Sequence, residues 1–255
     1  MAKDLFSEHA TDYAKFRPTY PPDLVEYIVS FVDQKETAWD AATGNGQAAL
    51  LLATHFKKVF ATDLSEGQIE AAQAHPGIQY SVAAAESTRF ADNSFDLITI
   101  AQAYHWINHK NFSEEAKRVG KQNAIVAVWG YNLFRCSNKL VTNLVDEFYH
   151  DVTDPYWEPE RKYLEKNYLE TPFYFEEIPV KSSFKMQTLW TIDQMAGYIN
   201  TWSAIKKFTK LNGYNPVEKL MQKVKEIWGN EPMLQFDFPL ALRMGRIRKE
   251  LRDGQ

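Results

Sequence analysis

The 255 residues predict a single α/β domain, with a doubly wound, mainly parallel sheet of seven strands and a helical cap inserted after the fifth. Three observations carry this. Along 35–130, short apolar runs suited to buried strands alternate with helical periodicity, the pattern of a parallel sheet wound with helices. Within it, Trp39-Asp40-Ala41-Ala42-Thr43-Gly44-Asn45-Gly46-Gln47 sets an acid and two glycines where a strand turns into a helix. After Trp129 the alternation stops, and an aromatic-rich helical stretch follows with Tyr149, Tyr156, Trp157, Tyr163 and Tyr168.

Residues 1–20 hold no long periodic segment but gather Phe6, Tyr13, Phe16 and Tyr20 around Arg17. Pro21-Pro22 then opens a helix whose Leu24, Val25, Ile28 and Val29 share one face. Strands are expected at 37–42, 57–63, 78–83, 95–101 and 123–130, with a helix at 46–55 among the segments between them. Over 131–170 the helices are interrupted by a loop at Asp154-Pro155. A strand at 180–187, a helix at 192–208, an amphipathic helix at 216–228 and a last strand at 235–244 complete the chain. Arg243 to Arg252 reads as a solvated basic end. The domain therefore divides into an N-terminal lid and first helix (1–34), a ligand-binding core (35–130), the cap (131–175) and the C-terminal strands and helices (176–255).

A hydrophobic share of 45% is ample for a full core at this length. The 29 basic residues against 33 acidic ones leave a net charge of −4, which argues against a general phosphate-backbone binder, so no nucleic-acid partner is expected. Cys136 is the single cysteine, which excludes an intrachain disulfide and a thiolate metal cluster, and no metal is expected. The chain starts without the apolar run of a cleavable signal, and no stretch approaches the roughly 18 apolar residues of a membrane span. A cytoplasmic protein without a membrane partner, monomeric or weakly dimeric, is the expectation.

The glycine turn is the chemical signal. Gly44 and Gly46 let backbone approach a ligand without a Cβ, and the helix start behind them offers free N–H groups. Asp63 ends the second strand 19 positions beyond Gly44, where a carboxylate accepts hydrogen bonds from ribose hydroxyls. Two cofactor classes fit. Gly44-Asn45-Gly46-Gln47-Ala48-Ala49 matches the dinucleotide fingerprint G-x-G-x-x-A, which keeps a nicotinamide-dependent oxidoreductase in view. Against it, Asp40 stands at the strand end near where a pyrophosphate would lie, and an acid there repels phosphate and attracts an ammonium. S-adenosylmethionine carries an α-amino group and a sulfonium and no phosphate.

The run Asp40-x-x-x-Gly44-x-Gly46, Asp63-Leu64-Ser65, Ala85-Glu86-Ser87 with Phe90-Ala91-Asp92-Asn93-Ser94-Phe95-Asp96, and the strand Leu97 to Ala101 resemble the successive motifs of class I S-adenosylmethionine-dependent methyltransferases, which have a Rossmann-like fold. The segment from Phe6 through Tyr13, Phe16-Arg17 and Tyr20, together with Gln102-Ala103-Tyr104-His105-Trp106 and Thr201-Trp202-Ser203, is similar to the type-11 group that includes trans-aconitate methyltransferase-like proteins. Two positions depart from the pattern. Ala42 stands where glycine is usual, which φ tolerates if it stays negative. Ala84 stands where an aspartate often binds the adenine amino group, which moves adenine recognition to the backbone at Ala85 and the Glu86 side chain.

The resemblance implies S-adenosylmethionine as cofactor, held by Tyr13, Arg17, Asp40, Ala42, Gly44, Gly46, Asp63, Leu64, Gln68, Ala85, Glu86, Gln102 and Ala103. It implies a small-molecule methyl acceptor, a carboxylic acid in the trans-aconitate case. Gln68 on the helix after Asp63 faces either the ribose or solvent. Arg17 would meet a carboxylate of cofactor or substrate through its planar fork. Tyr20, Trp106, Trp129, Tyr131, Trp157 and Trp202 are expected around the acceptor and the sulfonium, with ordinary core packing the competing role for each. His105 is the candidate general base, its unperturbed pKa of about 6.5 suiting proton transfer, and a structural histidine is the alternative. A non-catalytic S-adenosylmethionine-binding protein would carry the same motifs.

Overall fold

The computed structural model describes residues 18–249; Tyr13 and Arg17, and with them the expected lid, lie outside the described residues. The apolar runs form the centre of the sheet. β1 (Thr37–Ala41) is flanked in parallel by β2 (Lys58–Asp63) and β4 (Phe95–Ala101), β2 carries β3 (Ile78–Val82), and β4 carries β5 (Gly120–Tyr131). Helices cover both faces of this part, so its central strands need no polar face: β4 is buried from Phe95 to Ile100. The order β3-β2-β1-β4-β5 reverses between β1 and β4, the switch point where open α/β sheets bind ligands.

The far side of the sheet is antiparallel and holds more strands than expected. β9 (Leu234–Arg246) pairs with β5 through 240–246 and with β6 (Arg135–Cys136) through 236–237. It also pairs with β8 (Phe184–Trp190) through 234–240 and with β7 (Glu176–Ile178) through 244–246. Because Phe236 and Leu240 each have two partners, β5 and β6 share one flank of β9 while β8 and β7 share the other. Nine strands thus fill seven positions, and the expectation of seven is corrected by two short ones, β6 and β7.

Helix α1 (Pro22–Val29) has proline in its first turn and buries Leu24, Val25, Ile28 and Val29, as their spacing predicts. α2 (Gln47–Leu52) follows the glycine turn, α3 (Glu66–Glu70) follows β2, and α4 (His109–Val119) lies between β4 and β5. The insertion after β5 is not purely helical. It holds β6, α5 (Lys139–Glu147), a π-helical turn Phe148–Thr153, a 3₁₀ turn Asp154–Tyr156 where a loop was expected, and α6 (Arg161–Glu165). The helix expected over 192–208 is two, α7 (Ile192–Asn200) and α8 (Ser203–Asn212), because Trp202 takes an extended backbone (φ −65°, ψ 132°) and begins a new helix. α9 (Val217–Ile227) packs near α5 and α7.

Two apolar layers sandwich the sheet. One gathers Trp39, Phe95, Ile98, Phe112 and Val128, with Trp39 meeting Phe90, Phe95 and Phe112 at 5.7–6.2 Å. The other gathers Leu24, Leu52, Leu97, Trp129, Phe134, Trp190, Phe236 and Phe238. At the strands' N-terminal end the buried Asp96 accepts from the backbone N–H of Glu36 (3.2 Å) and Thr37 (3.0 Å) and pairs with Lys121 Nζ at 2.7 Å. Asp96 therefore ties the start of β1 to β4 and β5. Asp96→Ala orphans two amides and an ammonium, and chemical denaturation should read a loss of about 2–3 kcal/mol; a loss below about 0.5 kcal/mol would show the tie to be dispensable.

Candidate functional site

The turn between β1 and α2 is left-handed in three places: Ala42 (φ 52°), Gly44 (φ 57°) and Gly46 (φ 86°). The expectation of a negative φ at Ala42 is corrected. An L-residue there brings its Cβ toward the following carbonyl, a cost of roughly 1–2 kcal/mol that glycine avoids. Asp63 braces the turn, its Oδ2 accepting from Gly44 N at 2.8 Å and its Oδ1 from Ser65 N at 2.9 Å. The acid expected to serve a ribose thus sits against the turn itself. Among the described residues a Cβ on Gly44 would meet only Gln68 Oε1, at 3.7 Å, so they leave one side of the turn open. Gln68 is buried beside it, with its backbone N–H capped by Ser65 Oγ at 3.3 Å.

Asp40 is fully buried beneath the turn, in β1. Thr43 Oγ1 donates to its Oδ2 (2.5 Å) and Thr99 Oγ1 to its Oδ1 (2.7 Å), the latter from β4 across the switch point. Burial pushes the carboxyl up from 3.8 to about 6, with the two hydroxyls and the nearby Asp63 modulating that rise. Leu64 and Val82, at the ends of β2 and β3, are 50% and 53% exposed and present apolar surface beside Asp63. Ala85 is buried in the turn closed by the Ala84–Ser87 bridge, while Glu86 Oε1 accepts from Asn108 N at 2.8 Å and so holds the start of α4.

Past β4, Gln102 (φ 56°) clamps the neighbouring strand. Its Nε2 donates to Tyr131 O at 3.2 Å and its Oε1 accepts from Tyr131 N at 2.7 Å, while its own N–H meets Trp129 O at 2.7 Å. This is possible because residue 130 is glycine: a Cβ there would stand 2.8 Å from Gln102 Oε1 and 2.6 Å from Leu164 Cδ1. Ala103 leads into a 3₁₀ turn, Tyr104–Trp106, that delivers His105 and Trp106.

These residues open onto a pocket lined by Gln102, His105, Trp106, Tyr131, Trp202 and, from the insertion, Trp157 and Arg161. The structure brings together Trp106, Tyr131, Trp157 and Trp202 of the expected acceptor residues, and Tyr20 and Trp129 stand apart from them. Those two are buried in the core, ring on ring at 5.6 Å, because α1 packs Tyr20 inward against β5. Arg161 was not anticipated, since it stands in a polar run, Glu158-Pro159-Glu160-Arg161-Lys162, that reads as surface.

His105 is buried, with Nδ1 3.0 Å from Tyr168 Oη. Burial first, then the positive Arg161 and His109, push its pKa down to about 3, so the expected value near 6.5 is corrected and the ring is neutral at physiological pH. His105 and His109 stand four apart but do not form a metal pair. His109 Nε2 meets Tyr104 O at 3.0 Å, and no group of three metal-ligating side chains occurs among the described residues.

Asp40 and His105 titrate in opposite senses. Asp40, raised from 3.8 to about 6, favours the folded state below pH 3.8 and loses that advantage as pH rises to about 6; His105, lowered from 6.5 to about 3, favours it above 6.5 and loses that as pH falls. Between about pH 4 and 6 the two slopes cancel. Asp40→Asn should therefore make stability rise with pH in this window by about 1.4 kcal/mol per unit more than in the parent, as measured by denaturant titrations at pH 4, 5 and 6. Identical slopes would mean that Asp40 is not proton-linked to folding. Ala42→Gly, relieving the left-handed alanine, should raise stability by about 1 kcal/mol; thermal unfolding that is unchanged or lowered would contradict the strain.

Residues 39–128 match the methyltransferase domain family. Over 95% of its length the chain is 34% identical to a Dictyostelium discoideum protein named as a methyltransferase, which it covers to 95%. It superposes on a structure from Anaeromyxobacter dehalogenans, named as a type II methyltransferase, with a TM-score of 0.85 and 35% identity over 92% of this chain and all of that one. A Bacillus halodurans structure, 20% identical and with a TM-score of 0.51 over 90% of this chain and all of that one, shares the fold. A glycine turn braced at the sheet's switch point and near-full-length identity to such relatives lead to one conclusion: the chain belongs to the methyltransferase family.

Proposed function

We propose that the protein transfers a methyl group from S-adenosylmethionine to a small carboxylic acid. The residues fit the cofactor. Gly44 leaves room at the turn, Asp63 presents a carboxylate beside it, Leu64 and Val82 offer apolar surface next to that carboxylate, and the buried acid Asp40 opposes a pyrophosphate while suiting an ammonium. In this reading the insertion over 131–175 is the cap of the crevice, since it supplies Trp157 and Arg161 to the pocket. When bound, the cofactor supplies an activated methyl on a sulfonium.

The chain's own part is to align and to exclude water. Gln102 and Gly130 fix the spacing of the β4 and β5 ends, and the pocket's aromatic rings desolvate the acceptor and suit a nearby cation. One observation carries the acceptor class: among the described residues the pocket's lining offers no carboxylate or amine base, and its one imidazole is held neutral by burial. The described lining holds no aspartate, glutamate or lysine, and the pKa of the His105 imidazole is pushed down to about 3. An acceptor that needs no deprotonation suits such a pocket, and a carboxylate is already ionised at neutral pH. Its oxygen forms the new C–O bond while the methyl–sulfur bond breaks with its electron pair going to sulfur, so no proton is moved.

Calorimetry should show tighter binding of S-adenosylhomocysteine than of NAD, and tighter NAD binding would overturn the cofactor assignment. In a screen of small acids, phenols and amines, methyl esters should be the product. His105→Gln should keep kcat within about tenfold, against the 10²–10⁴-fold typical of a lost general base; a larger loss, or turnover of phenols alone, would refute the carboxylate reading.

A further inference from the structure

Among the described residues Arg161 is the one charged side chain in the lining of the acceptor pocket, and it is built in rather than loosely placed. Its Nε donates to Tyr149 Oη at 2.8 Å, and that hydroxyl in turn donates to Glu165 Oε1, which lies 4.0 Å from Arg161 Nε. The guanidinium carbon stands 4.2 Å from the Trp157 ring centroid and 5.7 Å from that of Tyr149. Tyr149 reaches it from the π-helical turn Phe148–Thr153, an irregularity that recurs at functional sites. One face and one N–H of the group are thus engaged. A guanidinium has five N–H donors, and the other four have no hydrogen-bond partner among the described residues, in a side chain only 19% exposed.

Half-buried donors on a fixed cation, in a pocket otherwise lined by rings, amide, hydroxyls and a neutral imidazole, call for an anion. The planar fork matches a carboxylate in two parallel hydrogen bonds. Glu165, 4.0 Å from Nε, already offsets part of the guanidinium's charge, so a monoanion suits the site and a phosphate dianion would leave charge uncompensated among aromatic walls. We infer that Arg161 is a specificity-determining residue that binds a carboxylate of the acceptor through the Nη edge of its guanidinium. Tyr149 is its positioning residue, setting the side chain through Nε. This rests on the pocket's being the acceptor site, as proposed above, but not on catalysis occurring.

The test reads binding directly from tryptophan fluorescence, since Trp106, Trp157 and Trp202 line the pocket. The full chain with S-adenosylhomocysteine is titrated with benzoate, sorbate and 3-phenylpropionate, with their primary amides, and with phenyl phosphate. At least one acid should bind tenfold or more tightly than its amide, and benzoate more tightly than phenyl phosphate. R161M should lower acid affinity at least tenfold and bring acid and amide together, R161K should recover part of the loss, and S-adenosylhomocysteine affinity should stay unchanged. Y149F should weaken the acids by a smaller factor and leave the amides alone; it also serves if circular dichroism shows R161M unfolded. Acid binding that survives in folded R161M, no acid preference in the parent, or preference for phenyl phosphate would overturn the inference. Arg161-dependent binding with no acid methylated would instead leave it standing and refute the proposed function.

Discussion

A carboxylate held in the core, with no cation beside it among the described residues, governs the glycine turn at the sheet's switch point. Asp40 sits where the sheet order reverses, and what keeps it there is a pair of hydroxyls, one from the turn that follows and one from the neighbouring strand. Such a group is expensive to bury, and the two threonines recover only part of the cost. The same two bonds set the path of the chain above it, because Thr43 must turn back to reach the carboxylate and Thr99 must hold β4 in register with β1. The left-handed run from Ala42 to Gly46, the bracing by Asp63 and the burial of Gln68 all follow from that path. The turn is thereby specified mainly by backbone, with few side chains committed to it.

A second constraint joins the core to its insertion. Gln102 satisfies both backbone groups of Tyr131, in the manner of one more rung of the ladder beyond the last strand pairing, and the missing side chain at residue 130 lets this happen while Leu164 and Tyr168 close in from the insertion. The pocket therefore has one wall built on the sheet and another built on segments that reach it from 149–203. Shape changes in the second wall need not disturb the first, which suits a fold that keeps one cofactor chemistry while its acceptors vary.

The five parallel strands, α1 and the glycine turn were legible because buried parallel strands read as apolar runs and because proline and glycine punctuate the chain at fixed places. β6 and β7, with two and three residues, have no periodicity to read. The break at Trp202 was hidden because a large apolar residue continues a helical pattern as well as it ends one. The site's errors were environmental. The low pKa of His105 comes from burial against Tyr168 and from Arg161, residues far away in sequence, and Arg161 itself looked like surface among its charged neighbours. Tyr20 and Trp129 have the residue types of a binding wall, and only packing shows them to be core. Glu86 could not be seen to hold the start of α4, a contact across 22 residues.

β9 gives the architecture a temporal asymmetry. Four strands, β5, β6, β7 and β8, find their partner in this one segment, and it follows all of them in the chain. While the polypeptide emerges from the ribosome, the parallel half can assemble early, but the outer edge of β5 stays unpaired until residue 246 is available. An open apolar edge is a template for association with other chains, so the nascent protein passes through a late, adhesive stage. Closure of the sheet and protection of that edge arrive together, with a single strand made after all four of its partners.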